Sequence, residues 1–473
     1  MKILKTYFIT FIIFFGFSVH SFSKNAPESF ADLAEKLMPS VVNISTTQTV
    51  VTNSNPFPFQ FPPGSPFGDM FKEFGTPQER KTSALGSGFI IDSTGFIVTN
   101  NHVIEGADEV SVKLTDGTEL EAKILGRDKK TDLAVLKVET DKRLTAVKWG
   151  DSRKARVGDW VLAIGNPYGL GGSVTAGIIS ARNRDINSGP YDDFIQTDAS
   201  INRGNSGGPM FNMKGEVIGI NTAIFSPSGG NIGIGFAIPS IQAERVVSQL
   251  LEFGKTRRGW LGVKIQSVTD DMAESLGLDK AEGALVASVS PDSPADKAGM
   301  RAGDILIKFD GKSIKEMREL PRIVADTEIG RSVKVIVLRK GKERPLRVTI
   351  EELVEDAAVA AVEDEESTDN LVQETMLGME LEDITSQTRK ALKLPDDLEG
   401  VVVAGVTRGS AAAEKGVRRG DVIVEITQET VNSLDAAKSR IESLRAAGRN
   451  SVLLRIYSRG DYRHLALKID EEK

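Results

Sequence analysis

The chain has 473 residues, 40% hydrophobic and 26% charged, with a formal net charge of −7. Those proportions describe a soluble globular protein of roughly two to four domains, and the negative balance leaves no electrostatic footprint for nucleic acid. Cysteine is absent, which excludes a thiol nucleophile, thiolate metal sites and disulfides, so stability has to come from large cores.

In chain order, Lys2 and Lys5 precede an almost wholly apolar run from Tyr7 to Val19, followed by the small residues Ser21 and Ser23. This is the pattern of a secretory signal peptide over residues 1–23, and the run is short for a membrane span of ~20 residues. An uncleaved N-terminal anchor is the rival reading. Cleavage would remove both lysines and take the net charge to −9. Export without disulfides fits a bacterial periplasm.

Ser29-Phe30-Ala31-Asp32 predicts a capping box opening a short helix, which Pro39 stops near Met38. From Val41 to about Pro239 the chain becomes short β segments separated by turn signals, as in Glu109-Val110-Ser111-Val112-Lys113-Leu114 before Asp116-Gly117. Such spacing predicts β-barrels or a sandwich. Two halves, roughly 40–145 and 155–240, would put His102 and Asp132 on one barrel and Ser206 on the other, with the active site between. One insertion, residues 55–80, interrupts this text. Its stretch from Asn55 to Gly75 holds five prolines and six phenylalanines. Exposed aromatic surface usually meets a partner, so a contact loop between subunits is expected, against the plainer reading of a sticky surface loop.

Ser240, Ala243, Val246, Val247, Leu250 and Leu251 recur at helical spacing, with Ser240 as cap and Gly254 as stop. Beyond this helix the chain repeats itself. Ser293-Pro294-Ala295-Asp296-Lys297-Ala298-Gly299-Met300-Arg301-Ala302-Gly303-Asp304 returns 117 residues later, as Ser410-Ala411-Ala412-Ala413-Glu414-Lys415-Gly416-Val417-Arg418-Arg419-Gly420-Asp421. A Leu-Gly-apolar step precedes each copy, at Leu261-Gly262-Val263 and Leu377-Gly378-Met379. Units of this size suit two similar globular domains, 259–352 and 373–472, rather than a solenoid. Between them, residues 353–372 form an acidic, Ala-rich linker.

Three motifs carry chemistry. Gly204-Asn205-Ser206-Gly207-Gly208-Pro209 is a turn of small residues that can expose a serine hydroxyl beside converging backbone N–H groups. Upstream lie Val98-Thr99-Asn100-Asn101-His102-Val103 and Thr131-Asp132-Leu133-Ala134-Val135-Leu136. The chain holds three histidines; His20 falls in the signal segment and His464 near the C-terminus, leaving His102 as the general base. The order His, Asp, Ser is that of chymotrypsin-type enzymes. Each residue alone has a plainer role, as core histidine, turn former or turn residue; jointly they point to a serine endopeptidase. Ser206 would attack, His102 would carry the proton, Asp132 would orient His102, and the N–H groups of Gly204 and Ser206, with Asn205 beside them, would hold the oxyanion. In that fold the primary pocket floor lies six residues before the nucleophile, at Ser200. With Ile201, Ile232 and Ile234 on the walls, small or medium aliphatic side chains are expected at the cleaved bond. No cofactor or metal is called for.

These motifs, with Gln196-Thr197-Asp198-Ala199-Ser200-Ile201-Asn202-Arg203 leading into the serine loop, resemble the HtrA, or Do-like, serine proteases, and the repeats look like two PDZ domains. The resemblance covers nearly all of the chain from residue 28. It implies a chymotrypsin-like double β-barrel over 28–256 followed by two PDZ domains, and an ATP-independent periplasmic endopeptidase cutting unfolded or misfolded proteins, often with chaperone activity. It also implies trimers that assemble into larger cages, and allows peripheral membrane contact. The Phe/Pro-rich insertion matches the family's long regulatory loop; without cysteines, redox control through it is excluded. Arg184, with Arg182 two residues away, matches the arginine that couples a PDZ domain to the catalytic loops. Gly259, Trp260, Leu261, Gly262 and Val263 would form the loop holding a peptide's terminal carboxylate in the first PDZ domain. In the second, Leu377, Gly378 and Met379 depart more from the pattern and suggest assembly. A holdase or a PDZ scaffold with incidental proteolysis is the competing function.

Overall fold

The computed structural model describes residues 27–52, 78–165, 172–202, 204–227, 230–354 and 374–469. The signal segment, the Phe/Pro-rich stretch between Thr52 and Gln78, and nearly all of the acidic linker lie outside the described residues.

Strands β1 (Val41–Thr52), β2 (Gln78–Asp92), β3 (Phe96–Thr99), β4 (Glu109–Lys113), β5 (Glu119–Asp128) and β6 (Leu133–Val138) close into a barrel in the order β1-β2-β3-β6-β5-β4. Alternation sets which face turns in. In β4, Val110 and Val112 are buried between exposed neighbours, as the two-residue period of a strand requires. They join Val42, Ile44, Ile90, Ile97, Ala134 and Leu136 in one core. Removing the Ile44 side chain beyond Cβ would cost about 2–5 kcal/mol. β1 and β2 stay paired from Val41↔Phe89 to Thr52↔Gln78.

The second sheet comprises β7 (Lys148–Trp149), β8 (Trp160–Gly165), β9 (Ser173–Arg184), β10 (Phe194–Thr197), β11 (Pro209–Phe211), β12 (Glu216–Ile224) and β13 (Gly235–Pro239). β11 pairs with both β8 and β12, which closes the ring around Val161, Ala163, Ile179, Ile195, Met210, Ile218 and Ala237.

Two expected helix caps differ. Helix α1 (Ala31–Leu37) has Phe30 as its N-cap with no side-chain hydrogen bond; Ser29 Oγ accepts only from Ala31 N at 3.1 Å, so the capping box does not form. Between β3 and β4 runs the single turn α2 (Asn101–Ile104). In α3 (Ser240–Phe253), Ser240 is already helical. Its hydroxyl donates to Gly150 O at 2.5 Å and accepts from Ser152 N at 3.2 Å, tying the helix start to the second barrel instead of capping it.

The first repeat folds as β15 (Val263–Ser267), β16 (Ala284–Val289), β17 (Ile305–Phe309), β19 (Ser332–Arg339) and β20 (Lys342–Thr349) in sheet order, with β18 (Lys312–Ser313) beside β17. Its ends meet where β14 (Gly259–Trp260) pairs with β21 (Glu351–Glu352). Helices α4 (Asp270–Leu276), α5 (Pro294–Lys297) and α6 (Glu319–Ala325) complete it, with Leu320 and Val324 of α6 in the core beside Leu261. The second repeat reuses the plan: β22 (Glu374–Met376), β23 (Met379–Asp383), β24 (Val401–Val406), β25 (Val422–Ile426), β26 (Glu429–Thr430), β27 (Ser451–Ser458) and β28 (Asp461–Lys468), with α7 (Ser386–Ala391), α8 (Ala411–Glu414) and α9 (Leu434–Ala446).

Packing divides the chain into two compact units. One holds both barrels. The other holds both repeats together with two excursions from the barrel region, Leu125–Asp132 and Asn183–Asp193.

Candidate active site

Ser206 lies in the connection from β10 to β11, held by backbone bonds rather than by its own side chain. Ser87 N donates to Ser206 O at 2.9 Å, Ser87 Oγ donates to Gly204 O at 2.5 Å, and Gly207 N donates to Asn221 O at 2.8 Å. Gly207 has φ +83°, and a Cβ there would come within 2.2 Å of Ser87 O and 2.3 Å of Thr99 Oγ1. No side chain fits, which explains the glycine and seats the serine loop against β2 and the end of β3. The Ser206 hydroxyl, half-buried, donates to Thr222 O at 3.4 Å.

β3, whose end packs against Gly207, finishes at Thr99 and α2 begins at Asn101, so His102 follows directly from that strand. His102 is exposed while its neighbours Asn101, Val103 and Ile104 are buried. Asp132 enters β6, whose Ala134 pairs with Thr99, and it takes a left-handed φ of +56°. A non-glycine residue held there costs roughly 1–3 kcal/mol.

Among the oxyanion candidates, Asn205 donates its backbone N–H to Asn202 O at 3.0 Å inside the turn, and its side chain is buried. Ser200 O accepts from Thr175 Oγ1 at 3.0 Å. Ile201 belongs to the second-barrel core, whereas Ile232 is half exposed and Ile234 half-buried. Asn231 joins the two wall segments, donating from Nδ2 to Ile201 O at 3.0 Å.

The two repeats differ where a peptide would bind. In the first, β15 borders its sheet and pairs only with β16 among the described strands, which leaves an edge for strand addition. Gly262 (φ +81°) packs on Ser293, whose Oγ donates to Gly262 O at 3.3 Å. In the second, Gly378 (φ +75°) meets Ser410 in the same way, but β23 is already paired with β22 from Glu374↔Leu381 to Met376↔Met379. Leu377 and Gly378 are thus the turn of a closed hairpin.

Arg184 ends β9 and is exposed; Arg182, before it, donates to Arg153 O at 3.4 Å in the barrel unit. The loop from Asn183 to Asp193 is braced internally by Asp192, which accepts from Ile186 N at 3.1 Å and Ser188 N at 2.8 Å. Sequence reasoning missed its acidic partners. Arg322 of α6 pairs with Asp193 at 2.8 Å and Arg318 approaches Asp185 at 3.8 Å. Only two arginines one turn apart, Arg318 at the N-cap of α6 and Arg322 within it, hinted at this.

The Trypsin-like peptidase domain family matches residues 86–220, and the PDZ domain family matches 259–350 and 375–469. The chain is 44% identical over 471 residues to a probable periplasmic serine endoprotease, DegP-like, of Brucella suis, covering 94% of this chain and 90% of that protein. A relative of the same name from Marinomonas sp. is 44% identical over 451 residues, covering 93% of each. Among solved structures, the HtrA-type protease AlgW with decapeptide is 41% identical, with a TM-score of 0.58, covering 69% of this chain and 99% of that one. With a peptidase domain, two PDZ domains and relatives matched over nearly their whole length, the chain belongs to the HtrA-type, DegP-like serine endoproteases.

Proposed function

We propose that this endoprotease degrades unfolded or misfolded exported proteins in the periplasm without ATP, after its signal segment is removed. Ser206 attacks the peptide carbonyl, His102 takes the serine proton and returns it to the leaving amine, and Asp132 fixes the imidazole tautomer and steadies its charge. The acyl-enzyme is then hydrolysed by water activated by the same histidine. Gly204 and Ser206 N–H groups hold the oxyanion, and Ser200 floors a neutral pocket for small or medium aliphatic side chains. The observation that carries this reading is the serine loop, bonded to Ser87 of β2 and packed through Gly207 against Thr99, the end of the strand that runs into His102. Relatives named periplasmic support the compartment. The likeness to a protease solved with a decapeptide supports peptide capture; we assign that capture to the first PDZ domain, over 259–352, and take trimers and larger assemblies as the working form.

Digestion of a reduced, unfolded protein by the chain from residue 24 onward tests it. Wild type is expected to fragment the substrate, with Val, Ile and Ala enriched before the cut, and Ser206→Ala to leave it intact. Cuts after Arg or Lys would refute the pocket. An intact substrate with both proteins, even with a hydrophobic C-terminal peptide added, would favour the holdase reading.

A further inference from the structure

Strand β15, the edge open to strand addition, is thinly supported for that task. Among the described strands it pairs only with β16, through a register shift between Lys264 and Ile265, and every residue along it is exposed or half-buried. Its side chains divide between two neighbours. Val263 and Ile265 pack on the core of the first PDZ domain. Lys264 and Gln266 reach the second, where Lys264 pairs with Asp461. Gln266 Nε2 donates to His464 O at 2.8 Å, and Gln266 Oε1 accepts from His464 N at 2.7 Å. β28 is itself the last strand of its sheet, with His464 opposite Arg455 of β27. One side-chain amide therefore occupies both backbone groups that His464 turns away from β27. Just past β15, Val268 and Met272 join Leu453 of β27 and Ala466 of β28 in one buried cluster.

A strand with one bonded neighbour has to be ordered before it can accept another, and ordering it in advance removes that cost from binding. Val263 and Ile265 hold β15 from the inner face; on the outer face the hold comes from the second PDZ domain. Resting on peptide capture by the first PDZ domain, we propose that the second braces the peptide-receiving strand. Gln266, clasped to His464, is the positioning residue, and it raises affinity for an extended hydrophobic peptide with a free C-terminal carboxylate by acting through β15. Such coupling is reciprocal, so bound peptide tightens the clasp by the factor by which the clasp tightens the peptide.

The full mature Ser206→Ala chain, titrated with a fluorescein-labelled hydrophobic decapeptide that keeps its free carboxylate, tests this by anisotropy. Gln266→Met keeps the length of the side chain but neither hydrogen bond; Leu453→Asp opens the buried cluster from the other domain. Placed in that chain, each should raise Kd ~5–20-fold. The double variant should bind no more weakly than Leu453→Asp alone, because a detached domain leaves Gln266 nothing to clasp. Saturating peptide should also slow hydrogen exchange over β28, residues 461–468, and should have no such effect in Leu453→Asp. An unchanged Kd in either single variant would overturn the proposal, as would exchange over β28 that ignores the peptide. Effects that multiply in the double variant would overturn it too, since Gln266 would then act within its own domain. Gly262→Val separates this from the reading beneath it. If that variant binds peptide like its parent, capture lies outside the first PDZ domain and the brace falls with it. If it loses binding while Gln266→Met and Leu453→Asp keep it in full, the brace alone falls.

Discussion

Of the two histidines among the described residues, His464 has the environment less suited to proton exchange with water. It is 4% exposed on β28, its Nδ1 has no hydrogen-bond partner among the described residues, and its backbone is clasped by the Gln266 amide at 2.7 and 2.8 Å. Burial, then the charge of Arg455 on the paired strand, lowers its pKa to about 3. Unfolded, it would titrate near 6.5. Between those values the unfolded chain binds a proton that the folded chain refuses, so stability falls as pH drops from 6.5 towards 3, by at most ~1.4 kcal/mol per pH unit. Hydrogen exchange of β27 at pH 6.5 and 4.5, corrected for intrinsic rates, should show that loss, and His464→Leu should abolish most of it; equal slopes would refute the assignment. Elimination by position singled out His102 from sequence, and the burial of His464 supplies a physical reason for setting that residue aside. The left-handed turn at Asp132 was not legible, because nothing in Thr131-Asp132-Leu133 announces the bond from Thr131 Oγ1 to Asp128 that precedes it.

At the scale of elements, the repeat was legible because its two signals have a packing cause. The Leu-Gly step lies against the serine that caps the next helix, through Ser293 in one copy and Ser410 in the other. The Gly-Asp step buries an aspartate that accepts from a backbone N–H three residues earlier, Arg301 to Asp304 and Arg418 to Asp421. What separates the copies is edge pairing, which depends on whether the preceding residues turn back. Gly259 and Trp260 pair with the distant Glu352 and Glu351, whereas residues 374–376 fold onto β23. A hydrophobic decapeptide with a free carboxylate should therefore bind Ser206→Ala with one equivalent per chain by fluorescence anisotropy. Gly262→Val, whose first added carbon would come within 2.1 Å of Ser293 Cβ, should remove that binding. Two equivalents per chain would contradict the hairpin closure of the second copy.

On the scale of the molecule, the repeat marked the two C-terminal domains and composition the acidic stretch between them, but neither showed which surfaces hold the two domains together. Those contacts join residues far apart in sequence, and each looks like an ordinary surface position in its own domain. β27 illustrates why. Val452, Leu454 and Ile456 point into the second PDZ core, while Leu453 points the other way and joins Val268, Met272, Ala273, Leu285 and Ile305 of the first, with Ala466. Around this cluster, Gln428 Nε2 donates to Gly303 O at 2.6 Å and Lys340 N donates to Gln428 Oε1 at 2.9 Å. Lys264 pairs with Asp461, and Lys415 with Asp271. The ion pairs are exposed and add little, up to about 1 kcal/mol each; burial of the apolar faces carries the association, at roughly 1.5–3 kcal/mol for each large side chain. The covalent linker is then dispensable for cohesion. If a specific cleavage site is placed between residues 355 and 373 and cut, the second PDZ fragment should co-elute with the remainder on gel filtration. Leu453→Asp should release it, and should do so without unfolding it, because that side chain serves no core of its own domain. Release from the wild-type chain at micromolar concentration would show instead that the linker, and not the shared apolar face, keeps the two domains together.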